Sequence, residues 1–289
     1  MGPLLFLVYI NDIDEGIVSK LGKFADDSKL LNRVNTQADV ESLKADLDKL
    51  EVWAEKWQMK FNVDKCSVMH IGKKNLYENY QLCGATLKSS NNERDLGVVV
   101  DNNLKFTEQT NKAIRAANAT LGMIKRNIVS RDKDIILKLY KALVRPKLEY
   151  CVQAWRPYLK RDIENLERVQ KRATKLIFEC KGLKYENRLK ITGLTSLNDR
   201  RTRGDMIEVF KMIKGFNKMD YEQFFKLSGN SKTRGHSYKL DKARSRLELR
   251  RNFFSQRVVN AWNSLPTDVT EACTINNFKN KYDSFSKGK

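Results

Sequence analysis

The 289-residue chain is poor in most of the residue types that announce a site by themselves. Its two histidines, His70 and His236, exclude a multi-histidine metal centre within one chain. The five cysteines (Cys66, Cys83, Cys151, Cys180 and Cys273) are odd in number, scattered and without a C-x-x-C pair. That pattern is neither a disulfide framework nor a zinc site, and it fits a reducing, intracellular compartment rather than secretion. Four prolines and 14 glycines exclude collagen-like and low-complexity classes. No apolar run approaches the roughly 18 residues that a membrane helix needs, so no membrane partner is expected. Acidic residues are also scarce. Asp+Glu number 35 against 55 Lys+Arg, a formal net charge of +20.

What is present is unevenly placed. Residues 1–60 carry 8 Lys+Arg and 11 Asp+Glu, whereas residues 61–289 carry 47 and 24. A basic body behind an acidic start favours a polyanionic partner, most often nucleic acid, through phosphate neutralisation and counterion release. Phe, Tyr and Trp number 13, 10 and 4, enough to build a core.

Periodicity predicts a mostly helical chain with a few short strand pairs. Leu4–Ile10 reads as a buried helix or strand; it lacks the basic flank and cleavage site of a signal peptide. A chain that begins on core residues looks cut. Residues 23–31 form two apolar arms around Asp26-Asp27-Ser28, a hairpin pattern. Thr36 and Asp39 resemble a capping box opening a helix with Val40, Leu43, Leu47, Leu50, Trp53 and Trp57 on one stripe. Strands are expected at Phe61–Ile71 and Asp95–Asp101. Helices are expected from Thr107, from Asp132 to about Val144 with a stop near Pro146, and over Asp162–Cys180. More should span Leu197–Ile213, Arg250–Trp262 and the stretch from Thr274. Residues 217–240, mostly polar, basic and Gly-containing, read as a linker or mobile loop.

Phe24-Ala25-Asp26-Asp27 is the first stretch with chemical meaning. Neighbouring strand residues face opposite ways, but at a tight turn two carboxylates can reach one side and offer oxygen ligands to Mg²⁺. Asp-Asp-Ser is also ordinary turn chemistry, and by itself that is the commoner explanation.

The surrounding motifs alter the weighting. Gly2-Pro3 through Asn11-Asp12-Ile13, followed by Phe24-Ala25-Asp26-Asp27-Ser28-Lys29-Leu30, resembles the palm of reverse transcriptases from non-LTR (LINE-type, jockey-like) retrotransposons. The resemblance continues through Trp53 to Cys66, Arg94 to Asp101, Leu139 to Cys151, Leu166 to Ala173 and Arg251 to Pro266. It therefore covers almost the whole chain.

It implies an α+β, predominantly helical fold: a partial palm of short antiparallel strands over residues 1–105, a helical thumb or connection over 106–215, and a basic linker with C-terminal helices over 216–289. It implies RNA-directed DNA polymerase chemistry. In the full enzyme two Mg²⁺ (Mn²⁺ as an alternative) about 4 Å apart activate the attacking hydroxyl and stabilise the leaving oxygen. Asp26 and Asp27 fall on the metal-binding hairpin, and Lys65 on the lysine that attends departing pyrophosphate. Gly2 and Pro3 fall where template and incoming dNTP are touched. Leu96 and Gly97 fall on the hairpin that touches primer through its backbone.

The implied partners are an RNA-template/DNA-primer duplex and dNTP. Duplex contacts are expected from Arg168, Lys171, Arg172 and Lys175 on one helix face and from the run Lys232, Arg234, Lys239, Lys242, Arg244 and Arg246. Tyr238 would either stack on a base or sit buried. Cys66-x-x-x-His70 is only half a metal motif. One departure stands out: a palm carries another metal-binding aspartate before the Gly-Pro segment, and Asp12 and Asp14 do not lie there. Negligible polymerase activity is therefore expected of this chain alone. The alternative from another class is a non-enzymatic, basic nucleic-acid-binding protein.

Overall fold

A computed structural model describes residues 2–229 and 235–288, with 53% of the chain helical and a few short strands in small sheets. It divides into two compact units, Met1–Asp95 with Val99–Asn103, and Leu96–Val98 with Leu104–Lys289.

The first unit opens with helix α1 (Gly2–Tyr9). The expectation of a buried segment fails here: α1 buries none of its residues, and Leu4 and Val8 are 69% and 75% exposed. An all-apolar octapeptide carries no polar face to say which side should be covered. The hairpin of β1 (Lys20–Phe24) and β2 (Asp27–Leu31) follows, in antiparallel register from Lys20↔Leu31 to Phe24↔Asp27. Helix α2 (Gln37–Lys56) starts at a true capping box. The Thr36 side chain accepts from the Asp39 N–H at 3.3 Å, and the Asp39 carboxylate accepts from the Thr36 N–H at 2.8 Å. Such a cap contributes about 1 kcal/mol. Val40, Leu47 and Leu50 of α2 form a core with Ile13, Val34, Tyr80 and Leu82.

The strand expected at Phe61–Ile71 is not continuous. Residues Val63–Lys65 make a 3₁₀ turn, and only β3 (Ser67–Val68) pairs. Its partner is β6 (Lys88–Ser89), and that pairing is parallel, unlike the antiparallel pairs expected. The other short pair is β4 (Gln81–Leu82) with β5 (Ala85–Thr86). Nor is Asp95–Asp101 one strand. It is the turn and return arm of a hairpin, β7 (Asn92–Asp95) and β8 (Val98–Asp101).

In the second unit, α3 (Thr107–Asn127) and α7 (Lys160–Thr174) lie side by side, running the same way. Thr107 Oγ1 donates to Asp162 Oδ2 at 2.9 Å near their starts, and Arg172 Nη1 donates to Asn118 Oδ1 at 3.1 Å further along. Ala113, Ala117, Leu121 and Ile124 of α3 meet Leu166, Val169 and Ala173 of α7, with Tyr140, Leu148 and Trp155.

The helix expected to stop at Pro146 instead passes it. α4 (Lys133–Leu139) runs into a π turn, Tyr140–Val144, and then into α5 (Arg145–Glu149). The Arg145 N–H reaches back to the Tyr140 carbonyl. The widened turn places Pro146 at a helix start, where its missing N–H is harmless. α6 (Val152–Trp155) follows, and α7 ends at Thr174, short of the expected Cys180, which lies in a separate 3₁₀ turn.

α8 (Tyr185–Thr192) precedes α9 (Leu197–Ile213), capped by Ser196 and closed by Gly215 at φ +72°. The helix expected over Arg250–Trp262 is broken into α10 (Glu248–Asn252), α11 (Phe254–Arg257) and α12 (Val259–Asn263). α13 (Thr267–Thr270) and α14 (Ile275–Lys287) complete the unit. A second core gathers Met206, Phe210, Phe254, Trp262, Phe278 and Tyr282. Parts of the stretch read as linker join it: Phe225 and Leu240 are buried there, and Leu227 bridges Leu240. Arg203 and Asp283 tie α9 to α14 with hydrogen bonds of 2.5 and 2.8 Å.

Candidate catalytic hairpin and nucleic-acid surface

The turn between β1 and β2 has two residues, Ala25 and Asp26. Ala25 takes φ +49°, a strained value for a non-glycine, and the turn is tight enough to leave Asp26 and Asp27 both exposed at the tip. Among the described residues, no group of three or more His, Cys, Asp or Glu side chains is placed to hold a metal ion. The pair thus supplies hard oxygen donors of the right kind for Mg²⁺, but does not by itself form a cage.

Two other carboxylates hold the hairpin in place. Asp46 of α2 is fully buried and accepts the backbone N–H groups of Val18 and Ser19 at 3.1 and 2.7 Å, just ahead of β1. Burial pushes its pKa up, but the Ser19 and Val18 hydrogen bonds and the Lys49 ammonium outweigh that and hold it down to about 2. Asp14 pairs with Lys23 of β1 at 2.7 Å, and that hydrogen bond lowers its pKa. On the return arm, Lys29 forms an ion pair with Asp95 of β7.

Asp12 has a different task. Its carboxylate accepts both indole N–H groups of the Trp53/Trp57 pair, at 2.9 and 3.2 Å. The tryptophan spacing was legible as a helix stripe, but nothing in the sequence pointed to Asp12 as the acceptor.

Gly2 and Pro3 occupy the first turn of α1, both exposed. Lys65 is exposed on the 3₁₀ turn rather than on a strand. No contact joins it to Asp26 or Asp27 among the described hydrogen bonds and ion pairs. His70 lies 3.0 Å from Asn75 Oδ1 and 5.1 Å from the Tyr77 ring, and Cys66 Sγ donates to the Asn62 carbonyl at 3.3 Å. Leu96 and Gly97 form the two-residue turn of the β7–β8 hairpin, at φ +45° and +86°. Positive φ at both positions is the type I′ geometry that matches strand twist, and Gly97 meets it without strain.

The positive charge lies almost wholly beyond the first unit. Residues 104–289 carry 42 Lys+Arg against 19 Asp+Glu, a net +23, while residues 1–103 carry 13 against 16. Arg168, Lys171 and Arg172 are exposed on α7, and Lys175 is exposed at its C-cap. Arg172 reaches Asn118, Arg168 donates to Asn165 at 3.0 Å, and the Lys171 ammonium sits 5.1 Å from the Tyr185 ring centre. Arg115 and Arg126 of α3 are exposed as well and went unnoticed in the sequence. Arg244, Arg246 and Lys242 are exposed ahead of α10; Lys232 and Arg234 lie outside the described residues. Tyr238 packs against the second core, with the Lys214 ammonium 3.9 Å from its ring centre.

The other side of α7 explains why its motif carries polar residues. Gln170 is fully buried: its carbonyl oxygen accepts from Tyr140 Oη at 2.7 Å, while its amide donates to Tyr185 Oη and the Thr195 carbonyl. Glu167 accepts from the Tyr185 hydroxyl and from the Leu197 N–H at 3.0 Å, satisfying an otherwise orphan donor at the start of α9.

The curated proteins similar to this chain are RNA-directed DNA polymerases of non-LTR retrotransposons. The enzyme from the mobile element jockey of Drosophila melanogaster is 24% identical over 169 residues, covering 54% of this chain and 18% of its own length. Its counterpart from Drosophila funebris matches alike, over 168 residues. The probable RNA-directed DNA polymerase from transposon X-element of Drosophila melanogaster is 24% identical over 190 residues, 62% of this chain and 21% of its own length. The chain thus spans about a fifth of the length of these relatives. No family model and no solved structure matches it.

Proposed function

We propose that this chain is the part of a non-LTR retrotransposon reverse transcriptase holding the end of the palm, the thumb and a basic C-terminal region, acting on an RNA-template/DNA-primer duplex with dNTP as second substrate. The observation that carries this is the tight β1–β2 turn, which leaves the consecutive Asp26 and Asp27 both exposed at the hairpin tip. Resemblance to the jockey and X-element polymerases supports it.

Within this reading the hairpin contributes two carboxylates to a divalent-metal site that other residues must complete. When bound, such an ion supplies charge stabilisation at the reacting oxygens. The chain's own part is to fix the pair: the Asp46 carboxylate anchors the backbone entering β1, and Lys23 and Lys29 tie down the two arms. Lys65 attends the leaving group, and Gly2 and Pro3 line the nucleotide side. The Leu96–Gly97 turn meets the primer backbone. Arg168, Lys171, Arg172, Lys175, Arg244 and Arg246 contact duplex phosphates, with Lys232 and Arg234 assigned the same role. Phosphate contacts of this kind are sequence-independent and salt-sensitive.

With two carboxylates of an incomplete cage, the chain alone has negligible polymerase activity. The test is Mg²⁺-dependent extension of an oligo(dT) primer on poly(rA). Incorporation that disappears in Asp26→Ala would overturn the proposed inactivity while upholding the polymerase reading. The net +23 of residues 104–289 favours a second reading, a nucleic-acid binder without catalysis. Restoration of extension by supplying the remaining palm segment of a jockey-type polymerase in trans, again lost in Asp26→Ala, would decide against it.

A further inference from the structure

Both carbonyls of the Leu96–Gly97 turn are taken by side chains distant in sequence. Tyr150, at the end of α5, donates its hydroxyl to the Leu96 carbonyl at 2.9 Å. Lys112, on α3, donates its ammonium to the Gly97 carbonyl at 3.3 Å. The Tyr150 ring also lies under the turn: a Cβ placed on Gly97 would come 3.5 Å from the ring. Tyr150 is 56% exposed, so burial of its ring does not explain its position. All four residues belong to the second unit.

We infer that Tyr150 and Lys112 are positioning residues for the primer-contacting turn. A type I′ turn has two outward carbonyls and two outward N–H groups. Engaging both carbonyls fixes the rotation of both peptide planes and leaves amide donors as the polar groups offered to a partner. Donors alone suit a phosphate oxygen, and backbone amides in left-handed conformations form such anion-binding concavities. Leu96, a non-glycine at φ +45°, is costly to hold there. The two side-chain hydrogen bonds act directly on the strained peptides. The Lys112 ammonium also places a positive charge beside the turn. The chemical partner is the backbone phosphate of the primer strand, so this inference rests on the function proposed above.

The experiment separates the two ideas. The whole chain is labelled with [¹⁵N]glycine, the Gly97 amide signal is assigned by its loss in Gly97→Ala, and its ¹H–¹⁵N heteronuclear NOE is recorded without ligand. An oligo(dT)/oligo(rA) hybrid is then titrated in, with overall affinity followed by fluorescence anisotropy at the same salt.

The NOE of Gly97 should fall in Tyr150→Phe and Lys112→Met and recover in Lys112→Arg, which keeps a cationic donor. The hybrid-induced shift of Gly97 should shrink about fivefold in Tyr150→Phe, the population change that loss of one net hydrogen bond allows. Overall affinity should stay within about twofold, because the many phosphate contacts elsewhere are untouched. An unchanged NOE in both variants overturns the positioning inference whether or not the hybrid binds. A rigid wild-type turn whose Gly97 signal ignores bound hybrid overturns the primer reading and leaves the positioning role to the turn's shape alone.

Discussion

Arg257 grips Asp205 with two parallel hydrogen bonds, Nε to Oδ2 at 3.0 Å and Nη2 to Oδ1 at 2.9 Å. Arg156 adds a third, from Nη1 at 2.8 Å. The Asp205 side chain is 1% exposed and those of the two arginines 17% and 12%, so this cluster sits inside the fold. Arg257 also donates to the carbonyls of Val152 and Gln153, joining α11, α9 and α6. Arg257, within the Arg251–Pro266 motif, therefore serves structure here.

Removing the shared acceptor should be severe. Asp205→Ala leaves two desolvated guanidinium groups facing each other, and urea unfolding should show a loss of about 3–5 kcal/mol. Arg257→Met should cost less than Asp205→Ala, because Arg156 still neutralises the carboxylate. The opposite ranking would mean that the packing of Arg257, and not its charge, is what matters.

Asp46 predicts an acid limit for the first unit. Its folded pKa of about 2 lies below the unfolded value of about 3.9, so its contribution is complete above about pH 5 and is lost as pH falls from there through 2. The shift corresponds to about 2 kcal/mol at neutral pH. Asp46→Asn should be destabilised by that order at pH 7. The gap from wild type should close towards pH 2, as measured by unfolding of the two proteins at both pH values.

The exposed face of α7 should be dispensable for folding. Replacing Arg168, Lys171, Arg172 and Lys175 with Gln should leave the unfolding midpoint nearly unchanged. In duplex binding, the slope of log K against log salt should fall by about 0.9 for each phosphate contact removed. A slope identical to wild type would show that the charge of α7 is merely solvated.

Asp26 and Asp27 should behave in the reverse sense to Asp205. Both are exposed at a turn, so Asp26→Ala and Asp27→Ala should change stability by no more than about 0.5 kcal/mol. Circular dichroism melts would measure it. A large loss would make the pair a structural element of the hairpin.

The elements specified over a few neighbouring residues were legible in the sequence. The capping box at Thr36/Asp39, the α9 start at Ser196 with its stop at Gly215, and the α14 start at Thr274 all lie where local hydrogen bonding puts them. The Asp-Asp hairpin was legible for the same reason, since its arms and turn span only twelve residues, Lys20–Leu31. The misjudged segments share a different cause. An amphipathic helix was expected over Arg250–Trp262, but the backbone breaks at Phe253 and Val258, on either side of Arg257, whose side chain reaches Asp205. At Pro146, a helix end was expected because a π turn leaves no mark in residue type.

Sequence alone pointed to the groups available for chemistry: the paired aspartates, the basic excess beyond residue 60, and the periodic apolar faces. These depend on spacing and on charge counts, which chain order already contains. Tertiary structure decided which charges remain available to a partner. Asp12, Asp46 and Asp205 are indistinguishable from Asp26 by composition, yet each is consumed by groups between 27 and 52 residues away. Among the arginines, Arg201 is buried against Trp155, and burial depresses its pKa to about 10, while Arg168 stays in water. The reason is desolvation. A buried charge must find its partner within the fold, whereas an exposed one keeps its hydration and can trade it for a phosphate.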